Sequence, residues 1–96
     1  MDRVEFPMVD VIKLRPLGGH KLWVLFSTGE AGERDFADVL NHGGPMIEPL
    51  RDPAFFARAF IELGAIAWPN GYDIDPINLY LEMRDSRSLS STAAAE

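Results

Sequence analysis

Along the first third of the chain, apolar positions recur at every second residue. Val9 and Val11 alternate with Asp10, and Ile12 and Leu14 alternate with Lys13 and Arg15, so the apolar phase slips between Val11 and Ile12. Side chains of a strand project to opposite faces in turn. Such a slip therefore marks either a bulge or a strand covered on both faces for part of its length. The pattern predicts a first strand over 9–16, followed by a turn at Leu17-Gly18-Gly19-His20, whose glycines tolerate positive φ. A second strand over 20–26 is apolar on both faces, with Leu22, Val24 and Phe26 on one side and Trp23 and Leu25 on the other. That is the signature of a central strand. Ser27-Thr28-Gly29-Glu30 turns the chain into a third strand over 30–36. It carries Glu30, Glu33, Arg34 and Asp35, a polarity suited to a sheet edge. The three strands read as an antiparallel meander.

The pattern then changes. Asp35 or Asp38 can cap a short helix over 37–41, closed by Gly43, and Pro45 and Pro49 bracket an extended stretch, Met46-Ile47-Glu48. Asp52-Pro53 and Asp75-Pro76 are helix starts: the aspartate accepts a free amide, and proline at the first helical position forgoes a donor the helix does not use. The first of these helices runs through Arg58. A strand over 60–63, a turn at Gly64 and a strand over 65–68 form a later hairpin, and Pro69-Asn70-Gly71 is a tight turn by composition. In the last helix Ile77, Tyr80, Leu81 and Arg84 share a face. From Asp85 the pattern is lost, and the Ser- and Ala-rich stretch is expected to be a disordered tail. The expected fold is α+β: a small antiparallel sheet, made of the three-stranded meander and the later hairpin, with two to three short helices, in one domain over 1–84 and a tail over 85–96.

Composition narrows the chemistry. With 96 residues, 47% apolar and 25% charged, the chain suits one core of modest stability. It has no cysteine, which removes thiolate zinc sites, iron–sulfur clusters, cysteine nucleophiles and disulfides. Fifteen acidic against nine basic residues give a net charge of -6. Such a surface repels nucleic acid and anionic membranes on average, and the basic residues are too scattered to form a phosphate-binding stripe. The N-terminus has charges on both sides of an isolated apolar residue, unlike a signal peptide, and the longest apolar run, Leu22–Phe26, is too short to span a bilayer. A cytoplasmic protein without membrane contact is expected.

Several segments together resemble the domain of unknown function 2442 family of small bacterial proteins. They are Leu22-Trp23-Val24-Leu25-Phe26-Ser27-Thr28-Gly29-Glu30, Phe36-Ala37-Asp38-Val39-Leu40, Leu50-Arg51-Asp52-Pro53-Ala54-Phe55-Phe56 and, most specifically, Ile66-Ala67-Trp68-Pro69-Asn70-Gly71-Tyr72-Asp73-Ile74-Asp75-Pro76, followed by Leu79-Tyr80. The resemblance implies a compact α+β domain and no established activity. It also implies a habit of being encoded beside another small protein, as in toxin–antitoxin pairs. Some relatives carry a helix-turn-helix domain after this one; the short polar tail expected here departs from that form.

Few residues offer chemistry. The segment from Trp68 to Asp75 has two readings. Trp68 and Tyr72 can form an aromatic contact with Asn70 and Asp73 as polar anchors, a binding loop. Equally, Trp68 can pack in the core, Asn70-Gly71 turn the chain and Asp75 cap a helix. The alternation of Asn70, Asp73 and Asp75 lacks the downstream glutamate of a calcium loop, so no metal site is expected. His20 and His42 have no partner at ligand spacing, Ser27 has no nucleophile-elbow context, and neither Gly18-Gly19 nor Gly43-Gly44-Pro45 has the pattern of a phosphate loop. No catalytic residue and no cofactor is assigned. The expected role is a protein-interaction module, antitoxin-like toward the product of a neighbouring gene, with a homodimer also open. The alternatives are a ligand-binding domain or enzyme with its site near the Trp68–Asp75 loop, and a nucleic-acid-binding regulator, which the acidic charge disfavours.

Overall fold

The computed structural model describes residues 8–91. The reading of the N-terminus as no signal peptide falls on residues 1–7, and the end of the expected tail on 92–96; both lie outside the described residues. The chain builds the expected meander, β1 (Val11–Gly18), β2 (Lys21–Phe26) and β3 (Glu30–Asp35), all antiparallel. Next come α1 (Ala37–Leu40), a 3-10 turn (Glu48–Arg51) and α2 (Pro53–Phe56). A second antiparallel sheet follows, made of β4 (Phe60–Glu62), β5 (Ala65–Ala67) and β6 (Asp73–Ile74), then α3 (Pro76–Asp85). The fold is α+β.

The phase slip in β1 is a bulge. Val11 pairs with Phe26 and Lys13 with Leu25, so Ile12 is the extra residue. One face of β2 is fully buried through Leu22, Val24 and Phe26, while Trp23 and Leu25 on the other face are only half-buried. The sheet thus has one core face, not two. β3 is not a simple edge: Glu30 and Ala31 pair with a two-residue strand, β7 (Ser90–Ser91), so ordered chain continues past α3.

The helix starts form as the Asp-Pro pairs require. Asp52 accepts from the Ala54 amide and Asp75 from the Ile77 amide, each at 3.0 Å. Asp35, not Asp38, accepts from Ala37 at the head of α1. Three expectations are corrected. Met46-Ile47-Glu48 is not extended: Ile47 and Glu48 both donate to the Gly44 carbonyl, and Glu48 opens the 3-10 turn. The proline at 49 suits that first turn, and burial of Ile47 and Leu50 holds it on the core. Helix α2 stops at Phe56, short of Arg58. Leu63 is a turn residue, not the end of a strand: it lies at φ 53 beside Gly64 at φ 81, the positive-φ pair of a tight hairpin. The strand β6 was not foreseen; it is made by the Trp68–Gly71 turn, where Gly71 donates to the Trp68 carbonyl and Trp68 to the Tyr72 carbonyl, both at 2.9 Å.

One core joins the two sheets. Val9, Val11, Leu22, Val24 and Phe26 come from the first sheet side, Ile66 and Trp68 from the second, and Phe36, Leu40, Leu50, Phe56, Leu79 and Met83 from the helices and turns between. The Val11 amide donates to the Gly64 carbonyl at 2.8 Å, tying the head of β1 to the later hairpin. At the other end the backbone of Ser88 crosses over Gly32 so closely that any Cβ there would collide with the Ser88 carbonyl and press on the Met83 methyl. Gly32→Ala should therefore cost about 1–3 kcal/mol, through displacement of the 86–91 segment. A fall in the urea midpoint with the meander's far-UV signal retained would show it; an unchanged midpoint would contradict the crossing.

Candidate functional site

The distinctive Trp68–Asp75 segment splits into a buried and an exposed part. Trp68 is 1% exposed. Its indole Nε1 donates to the Phe56 carbonyl at 2.9 Å, and its ring lies 5.4 Å from Phe56 and 5.8 Å from Tyr72, centroid to centroid. Asn70 donates from its side chain to the Met46 carbonyl at 3.0 Å and accepts the Tyr72 amide at 3.3 Å, fixing the turn against the 45–47 loop. Tyr72 is half-buried and Asp73 exposed. Trp68 thus stands behind the surface and the half-buried Asn70 has its side chain committed to the turn, while Tyr72 and Asp73 reach the surface.

What they reach is a groove between β3, α1, β6 and α3. Arg34 crosses it and divides it into hollows of about 230 and 410 Å³. Phe36, Val39, Tyr72, Ile74 and Leu79 supply the apolar lining of the smaller one, with Asp73, Asp75, Asn78 and Glu82 around them. The larger one runs along β3 toward Met83, Ser86 and Ser88. Arg34 projects from the core face of β3, because it pairs with Leu22. Its guanidinium makes a two-pronged contact with Asp38 at 3.0 and 3.3 Å, meets Glu82 at 2.9 Å and the Asp35 carbonyl at 2.8 Å, and lies 4.7 Å over the Phe36 ring. Its side chain is 15% exposed.

The electrostatics follow from that arrangement. Burial works against the Arg34 charge, but the hydrogen bonds and charges of Asp38 and Glu82 outweigh it and hold its pKa above the ordinary value. The Arg34 hydrogen bond, opposed by partial burial, keeps the Asp38 carboxyl below the usual carboxylate range. Burial, then the nearby Asp73 charge, raises the Tyr72 hydroxyl pKa. With its donors committed to Asp38, Glu82 and a carbonyl, Arg34 organises the groove and leaves the rim net acidic.

Sequence reasoning did not single out Arg34, Asp38 or Glu82. The Arg34–Asp38 spacing of four is visible, but it spans a strand end and a helix, and Glu82 is 48 residues away. The histidines have structural surroundings: His20 Nε2 donates to the Arg51 carbonyl at 2.9 Å, and its ring meets Phe56 edge-on, while His42 is exposed beyond α1. Among the described residues no group of three or more His, Asp or Glu side chains is placed to hold a metal ion. Among them, too, no helix is long and apolar enough to cross a membrane.

A family model described as "Protein of unknown function (DUF2442)" matches residues 11–85. A crystal structure from Nitrosomonas europaea, named a "Putative DNA Binding Protein", superposes with a TM-score of 0.59 at 30% identity, over 71% of this chain and 44% of that one. The chain thus spans less than half the length of that protein. No curated protein matches the chain.

Two predictions follow from the geometry. Trp68→Phe removes the indole donor, leaves the Phe56 carbonyl with the Ala59 amide alone, and opens the space of the lost ring in the core, so it should cost about 2 kcal/mol by urea unfolding. For Asp38, a lowered folded pKa means its contribution is present above the unfolded value, ordinarily near pH 4, and is lost as pH falls through the lower folded value. Asp38→Asn should therefore be less stable than the wild type at pH 7, with the gap closing below about pH 4. A gap that persists unchanged at about pH 2 would contradict the ion pair.

Proposed function

The chain belongs to the DUF2442 family, and we propose that it is a protein-interaction module whose groove around Arg34 receives a basic, partly apolar segment of a partner protein. One observation carries the reading: an apolar floor of Phe36, Val39, Ile74 and Leu79 meets a rim of Asp38, Asp73, Asp75 and Glu82 whose only bridging cation, among the groove residues, is already engaged. A concave surface of this kind rewards an apolar anchor flanked by lysine or arginine, and the acidic rim speeds encounter with such a partner. The net charge of -6 acts in the same direction. Tyr72 and Asp73 would contact the partner directly, with Trp68 and Asn70 holding them in place. The family's gene-pair habit makes the neighbouring gene's product the first partner to try, in an antitoxin-like role.

A nucleic-acid reading draws support from the DNA-binding description of the Nitrosomonas europaea protein. It is the weaker reading here, because more than half of that protein lies outside the match and the groove has the wrong sign for phosphate.

Co-expression with the neighbouring product, followed by titration calorimetry of the purified pair, tests the proposal. Binding in the micromolar range or tighter is expected, weakening several-fold between about 50 and 300 mM salt. Asp73→Lys and Asp75→Asn together should weaken it by about tenfold or more. No complex at high micromolar concentration, or one indifferent to these changes, would refute the groove as the docking site.

A further inference from the structure

The face of the first sheet turned away from the core has a charge pattern of its own. Residues directly opposite one another in an antiparallel pair project to the same side. The register therefore places three cross-strand rows on this outer face: Arg15–Trp23–Glu33 in the middle, Lys13–Leu25–Ala31 above it, and Gly18–Lys21–Asp35 below. Lys13, Arg15, Lys21, Glu33 and Asp35 are exposed, and Trp23 and Leu25 at the centre are half-buried. Arg15 lies 4.9 Å over the Trp23 ring. The face is thus a dipole: Lys13 and Arg15 on the β1 side, Glu33 and Asp35 on the β3 side, with Trp23 and Leu25 between them and Lys21 at the lower end of β2.

We propose that this face is a homodimer interface in which two copies pack sheet against sheet about a two-fold axis running along β2. The charges choose that axis. Any two-fold relating two facing sheets lies in the plane between them. If it ran across the strands through the central row, β1 would lie over β1 and β3 over β3, so Arg15 would meet Arg15 and Glu33 would meet Glu33, two like-charge contacts at the centre. If it runs along β2, the side-to-side order reverses while the height along the strands is kept. Trp23 then faces its own copy at the centre, and Arg15 of each protomer faces Glu33 of the other, twice; Lys21 also faces its own copy, at the end of the face, with Asp35 of each protomer beside the pair. Aligned sheet packing at about 10 Å, with the usual rotation of about 30°, keeps those pairs within side-chain reach. Arg15 can stay on Trp23 while it turns its guanidinium to the partner's carboxylate.

The face is small. Three strands of about six residues span about 300 Å² of sheet plane, below a standard interface, so a weak, micromolar dimer is expected. The inference uses the opposite side of β3 from the Arg34 groove, and its failure would leave the groove reading untouched.

Sedimentation velocity of the full chain provides the test. From about 10 µM to about 1 mM the weight-average mass should climb from 10.7 kDa toward twice that value, and about 1 M salt should reverse the climb. Glu33→Arg, and separately Arg15→Glu, should each weaken the dimer about tenfold, since each puts like charges in both central pairs. The double reversal, Arg15→Glu with Glu33→Arg, should restore it. All four positions in the dimer are exposed, so far-UV circular dichroism should stay constant across the set. A wild-type chain that remains monomeric at about 1 mM overturns the proposal, as does a dimer that ignores both single reversals. Retention of single-stranded oligo-dT through Lys13, Arg15 and Trp23, without self-association, would overturn it in favour of a nucleic-acid face.

Discussion

The structure depends on one indole. Trp68 is buried, bonded through Nε1 to the Phe56 carbonyl, and packed between Phe56 and Tyr72. A side chain of this size buries on the order of 200 Å², equivalent to about 5 kcal/mol as an upper figure. For a chain of 96 residues that is a large share of total stability. Position matters as much as size. From Phe56, contacts run on to Phe36 and to the His20 ring at the head of β2, so an aromatic chain connects the Trp68 turn, α2 and the first sheet. Each sheet has an apolar face that must be covered, and this chain of rings helps join the two into one core.

With Trp68 inside, the surface that remains for binding is set by what the indole supports. The turn from Trp68 to Gly71 holds Tyr72 and Asp73 at the groove, and the same turn creates β6 and delivers Asp75 to the head of α3. α3 then brings Glu82 to Arg34 and Tyr80 to Glu30, two links between α3 and β3. The Tyr80 hydroxyl is held above its ordinary pKa by its bond to the Glu30 carboxylate, with burial adding to the effect, so it remains a donor across the neutral range. The groove exists because these two links fix α3 against a polar strand.

Much of this was legible in the chain. The bulge in β1 was visible as a phase slip, because a one-residue slip reverses the faces of a strand. Both Asp-Pro helix starts were visible, because capping is local. Met46-Ile47-Glu48 was misread because two prolines suit a 3-10 turn as well as an extended strand, and burial of Ile47 and Leu50 decided between them. Leu63 was misread because its apolar side chain fits a strand pattern, whereas it is 97% exposed at a positive φ dictated by the hairpin. Of the groove, Tyr72 and Asp73 belonged to the segment the sequence singled out. Arg34, Asp38 and Glu82 did not, since their meeting depends on the docking of α3 on β3, and no local pattern encodes a contact 48 residues apart.

The most direct test of this account follows the two indole protons separately by hydrogen exchange under NMR. Trp68 Nε1–H is bonded and buried, so it should exchange only through opening of the whole domain, with a protection free energy equal to that from urea unfolding. Trp23, half-buried on the outer sheet face, should exchange far faster at concentrations where the chain is monomeric. If the Trp68 indole instead exchanges as fast as that of Trp23, the aromatic chain is not what joins the two sheets.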